Sequence, residues 1–62
     1  MCEANVFLEK NGKQEQIMEN AISVKPDGDS LILVDLFGKE TKVKAKIKEI
    51  NLLDHKVILE EL

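Results

Sequence analysis

Lys42-Val43-Lys44-Ala45-Lys46-Ile47-Lys48 can be wound as a helix or drawn out as a strand, and the class of the whole domain turns on which. Val43, Ile47 and Ile50 do fall on one face of a helix. That helix would also set lysines around its whole circumference. As a strand, Val43, Ala45 and Ile47 point one way and Lys42, Lys44, Lys46 and Lys48 the other, the period-2 pattern of a half-buried strand. The strand reading is the one adopted. The pattern breaks at Glu49-Ile50, which marks a bulge or the strand's end.

Working outward, turn signals recur at short intervals. Asn11-Gly12, Pro26-Asp27-Gly28-Asp29, Gly38-Lys39 and Asn51 with Asp54-His55-Lys56 punctuate the chain. Five further strands lie between them. Ala4, Val6 and Leu8 alternate with Asn5, Phe7 and Glu9; Gln14 to Met18 is weaker; Ile22 to Lys25 carries Ile22 and Val24; Ser30 to Leu36 is the most apolar; the last runs from Lys56 to Glu60. Short strands, frequent turns and no helical segment predict an all-β fold, a small SH3-like or similar barrel of about six short strands. Residues 1–62 make a single domain, without repeat, low-complexity segment or linker.

A chain of 62 residues buries only ~60% of the surface its unfolded form exposes. One cysteine excludes an internal disulfide, and with a single histidine there is no structural zinc cluster. Good packing or self-association remains, and a homodimer is expected. Nine basic against twelve acidic residues leave a net charge of -3, which offers no overall attraction to nucleic acid or anionic lipid. Met1-Cys2-Glu3-Ala4 has no basic leader, and the longest apolar run, Leu31-Ile32-Leu33-Val34, is four residues, so no membrane partner and a cytoplasmic location are expected.

The motifs of serine hydrolases, phosphate-binding loops and zinc hydrolases are all missing, and an enzyme is not expected. His55 with Asp54, Glu60 and Glu61 is a conceivable metal cluster; the plainer reading is a polar turn residue. Lys42, Lys44, Lys46 and Lys48 form a row that would meet phosphates, and a small RNA-binding module is the alternative function. A row of this kind is more simply a solvated face that discourages edge-to-edge aggregation. Phe7 and Phe37, the only aromatics, read as core residues rather than a base-stacking platform.

Cys2 differs in kind. Methionine is normally removed before a small second residue, which would leave Cys2 with both an α-amine, of reference pKa about 7.7–8.0, and a thiol, about 8.5, that can lose protons to a metal near neutral pH. Together they close a five-membered chelate ring, and the backbone amide of Glu3 is a further nitrogen donor. Nitrogen and thiolate in one plane suit Ni(II) or Cu(II). One chain supplies too few ligands, whereas two chains would make an N2S2 set. An incidental thiol, or a small buried apolar group, is the competing reading of the bare residue.

Met1-Cys2-Glu3-Ala4-Asn5-Val6 resembles the opening of the CooT family, small proteins assigned as nickel chaperones for anaerobic carbon monoxide dehydrogenase, whose members begin Met-Cys-x-Ala-x-Val. The turn at Asn11-Gly12, the strands around Val24 and Leu31 to Leu36, Leu36-Phe37 before a polar turn, and the β-rich ending fall at similar places. The resemblance implies a homodimer of small β-barrels that binds Ni(II) through Cys2 and performs no catalysis. It also implies a partner, carbon monoxide dehydrogenase or its nickel-insertion machinery. Members have also been labelled RNA-binding, which the acidic charge and two phenylalanines here oppose. No histidine stands near the N-terminus in sequence, so the cysteine carries the expected affinity.

Overall fold

A computed structural model of the protein describes residues 3–62. It is all-β: β1 (Ala4–Lys10), β2 (Lys13–Asp27), β3 (Ser30–Asp35), β4 (Glu40–Val43), β5 (Ala45–Asn51) and β6 (Lys56–Glu61). They form one sheet in the order β4-β3-β2-β1-β6-β5, with β1 and β6 parallel and every other neighbouring pair antiparallel. The sheet curls into a half-barrel around Val6, Met18, Ala21, Leu31, Leu33, Ala45, Val57 and Leu59.

Six strands were expected and six are present, but two of the boundaries differ. Gln14 to Met18 and Ile22 to Lys25 belong to one 15-residue strand, β2. The polar pair Glu19-Asn20 reads as a gap, yet it is a bulge: Ala4 to Val6 on β1 is matched by Ala21 to Met18 on β2, one residue more. Asn20 sits at φ 57°, a left-handed conformation that asparagine tolerates and branched residues do not. Its carbonyl accepts the Leu36 amide at 2.9 Å, tying the bulge to the β3–β4 turn. Asn20→Gly should therefore leave stability nearly unchanged, while Asn20→Val should cost about 1–2 kcal/mol, read from denaturant midpoints.

The second correction falls on Lys42 to Lys48, which is not one strand. Val43 ends β4 and Ala45 begins β5, with Lys44 alone between them. β4 and β5 are the two edges of the sheet, so this one-residue corner carries the chain from one edge to the other and draws the edges together. The expected irregularity after Ile47 is present as a bulge at Lys48: Ile47 pairs with Leu59 and Glu49 with Ile58, and β5 continues to Asn51.

Away from the corner the edges part. Ile47 and Ile50 lie opposite the core residues Leu59 and Val57 and so share the core face. Exposure along that face of β5 climbs from 4% at Ala45 to 43% at Ile47 and 54% at Ile50. The half-barrel is thus closed at Lys44 and open at the other end. At that end Asn51 of β5 pairs with Lys56, Lys56 with Asn5, and the neighbouring Ala4 with Ala21.

Neither phenylalanine is a core residue. Phe7 is half-buried on the convex face beside Ile58, with the Lys56 ammonium 5.3 Å from its ring centroid. Phe37 is 88% exposed. It stands in the β3–β4 turn, where Asp35 Oδ1 accepts the amides of Phe37 and Lys39 at 2.9 Å each and turns the intervening side chains outward.

Candidate metal centre at the open end

Cys2 lies outside the described residues, so the structure speaks to its surroundings. Glu3, half-buried, leads into β1 at the open end. Cys2 is three residues from Asn5, a contour of at most roughly 11 Å.

The β5–β6 turn comes to the same place. Asn51 Oδ1 accepts the Asp54 amide at 3.1 Å, and Asn51 Nδ2 donates to Asp54 Oδ2 at 3.2 Å. His55 closes the turn at φ 52°, and its carbonyl accepts the Asn5 amide at 2.9 Å. Because β1 and β6 run parallel with Asn5 beside Lys56, the chain entering β1 and the turn entering β6 are neighbours. The exposed His55 and Asp54 thus belong to the end from which the N-terminus emerges. Sequence distance hid this, since the one imidazole is remote along the chain and adjacent in the fold.

The alternative cluster of His55, Asp54, Glu60 and Glu61 does not assemble. Glu60 and Glu61 sit at the opposite end of β6, engaged with Lys46 at 3.6 Å and Lys10 at 3.7 Å. Among the described residues no group of three or more His, Cys, Asp or Glu side chains is placed to hold a metal.

The lysine row is divided by the corner, with Lys42 on β4, Lys44 at the bend and Lys46 and Lys48 on β5. Lys42 pairs with Asp27 at 3.2 Å, Lys46 with Glu60, and Lys48 with Glu9. Three of the four thus have a carboxylate neighbour that a phosphate would have to displace. Glu9 also accepts from Gln14 Nε2, and the Lys48 ammonium followed by that amide holds its carboxyl below the usual range. Glu9 in turn raises the Lys48 ammonium above its ordinary value. A depressed carboxyl contributes stability that is complete above its unfolded pKa, about 4.3, and is lost as pH falls through its folded value. A raised ammonium contributes stability that is complete below about 10.4 and is lost as pH rises beyond it. Glu9→Gln should therefore lower the melting temperature slightly and equally from pH 6 to 9, with the difference from wild type closing below about pH 4.

Comparison with known proteins covers almost the whole chain. The model of a family described as "CO dehydrogenase accessory protein CooT" matches residues 1–60, a span that includes Cys2 and the β5–β6 turn. The chain belongs to the CooT family. Its similarity to an uncharacterized protein of Methanocaldococcus jannaschii is 37% identity over 60 residues, covering 97% of this chain and 98% of that protein. A crystal structure of a candidate CooT from Carboxydothermus hydrogenoformans superposes at a TM-score of 0.91, with 36% identity and 98% of each chain covered. The CooT half-barrel is thus shared at the level of the whole chain. CooT membership makes this a protein of the accessory class associated with CO dehydrogenase.

Proposed function

We propose that this CooT-family protein is a cytoplasmic, non-enzymatic nickel-binding accessory protein. It acts as a homodimer that carries Ni(II) as cargo for carbon monoxide dehydrogenase or its nickel-insertion machinery. The observation that carries the reading is family membership over residues 1–60 in a chain whose only thiol is Cys2. After loss of Met1, the Cys2 amine and thiolate of two chains supply an N2S2 set, with the Glu3 amide as a further nitrogen. Planar nitrogen and thiolate donors suit Ni(II).

A metal carrier must release as well as bind. Ligands concentrated on two chain ends let a recipient replace donors one at a time, which a closed four-ligand structural site resists. Cu(II) binds such donors more tightly than Ni(II), so selectivity comes from metal supply and partner docking. The alternative of an RNA-binding module on Lys42, Lys44, Lys46 and Lys48 gains no support from a row divided by the corner and largely paired with carboxylates.

Nickel titration of the wild type and of Cys2→Ser, with free metal quantified, tests the proposal. Saturation at one metal per two chains in the wild type and none in the variant is the expected result. Equal uptake by both would overturn it. In the same titration His55→Ala tests whether the neighbouring imidazole assists; a weaker affinity with unchanged stoichiometry would mark it as a supplementary donor.

A further inference from the structure

We infer that the unpaired edge of β2 from Lys13 to Glu19, with the groove between it and Phe37, is a docking site for an extended segment of a protein partner. That segment carries one large apolar side chain flanked by lysine or arginine. The site goes beyond the nickel-carrier reading and involves no metal.

β2 has more backbone than its neighbours cover. β1 pairs with it from Lys13 to Ala21, whereas β3 reaches it only from Ala21 to Asp27. On the side away from β1, Lys13 to Glu19 therefore have no strand partner among the described residues. The Leu36 amide takes up only the next carbonyl, that of Asn20. The bare stretch is longer than all of β4. Sheet edges are usually blunted by shortness, lysine or proline. β4 is short and carries Lys42, and β5 carries Lys46 and Lys48. The β2 stretch has one lysine, at its very start, and no proline. Its register with β1 is regular from Lys13 to Gln16, and the bulge at Ile17 bends it where the groove begins.

The groove, about 230 Å³, has Ile17, Met18 and Glu19 on one side and Phe37 and Thr41 on the other. That is below the roughly 300–1,000 Å³ of small-molecule sites and suits a single anchoring side chain. Phe37 is the exposed aromatic beside it, and its turn is held firmly. Besides the two amides on Asp35 Oδ1, the Asp35 carbonyl accepts the Gly38 amide at 2.9 Å, and the Lys39 carbonyl accepts the Asp35 amide at 3.0 Å. A turn already in place loses little freedom on binding.

Charge selects the flanking residues. Glu15 and Glu19 are exposed, and neither takes part in a described ion pair. Glu19 and Asp35 outnumber Lys39 in the groove. Free carboxylates beside an apolar slot complement cations on either side of an apolar anchor. A second copy of this chain is a poor occupant. Antiparallel pairing of two such edges about Ile17 would set Glu15 of one copy opposite Glu19 of the other, and like charges directly opposed destabilise a ladder.

The test is a titration of metal-free, untagged protein, followed by backbone amide NMR, with a blocked seven-residue peptide of alternating lysine and valine around a central leucine. Shifts should fall on residues 13–19 and 36–41. Phe37→Ala, at a position exposed enough to leave folding intact by circular dichroism, should weaken binding about tenfold or more. Glu15→Gln with Glu19→Gln should weaken it about tenfold at low salt and flatten its salt dependence. A peptide with glutamate in place of lysine should not bind. Every second amide of a paired strand faces its neighbour, so N-methylating one alternate set of peptide amides should abolish binding and methylating the other should leave it. Cys2→Ser should bind the peptide as wild type does, so loss of nickel uptake and loss of docking are separate results. No shift at millimolar peptide, shifts confined to β4 or β5, or equal binding of the two methylated peptides would overturn the inference. So would amide protection of residues 13–19 that grows with the protein's own concentration, which would give the edge to a second copy.

Discussion

Cys2→Ser should abolish nickel uptake while leaving the half-barrel and its oligomeric state unchanged. The serine hydroxyl does not ionise near neutral pH, so the chelate loses its anionic donor and keeps only the amine. Even loss of an outer-shell partner costs a metal site ~10–100-fold, and removal of a direct ligand from both chains at once should cost more. Among the described residues the core cluster runs from Val6 to Leu59, with Ala4 packed against it. Nickel titration beside a thermal melt checks both halves: uptake vanishes and the melt does not move. A variant that loses both would instead assign Cys2 a packing role.

The other large effect lies in the core. Leu33 is 0% exposed and sits in β3 between Val24 of β2 and Thr41 of β4. Truncating such a leucine to alanine costs ~2–5 kcal/mol, from lost transfer energy and the cavity left behind. A domain of this length has a total stability of about 3–9 kcal/mol. Leu33→Ala should therefore lower the melting temperature by roughly 10–30 °C or leave the chain largely unfolded at 25 °C. Ile47→Ala is the contrast, since that side chain is 43% exposed on the diverging part of β5, and the expected cost in the isolated chain is below about 1 kcal/mol. Equal melting of the two variants would refute the closed-corner, open-end description. Because a dimer's stability depends on concentration, both melts should be run at matched protein concentration.

Much of this architecture can be read from side-chain alternation, and the misreadings have physical causes. Val43 and Ala45 are both directed toward the core on either side of Lys44, so the bend keeps the two-residue period and leaves no break in the pattern. Alternation reports the face, not the direction of the strand. At Glu19-Asn20 the reverse holds, because two polar residues interrupt the pattern while backbone pairing continues around a bulge. Phe37 looks like core by residue type, but the Asp35 carboxylate organises a turn there and exposes it. Cys2 can be picked out from chemistry alone. The closeness of His55 cannot, because it depends on the parallel pairing of β1 with β6, strands from opposite ends of the chain.

Nickel held by the Cys2 ends of two chains is tested most directly by native mass spectrometry of freshly purified, untagged protein with added nickel. One dominant species is expected: two chains that both lack Met1, carrying a single nickel ion, with metal lost in the Cys2→Ser preparation. Nickel bound equally by chains that retain Met1, or by the serine variant, would contradict it.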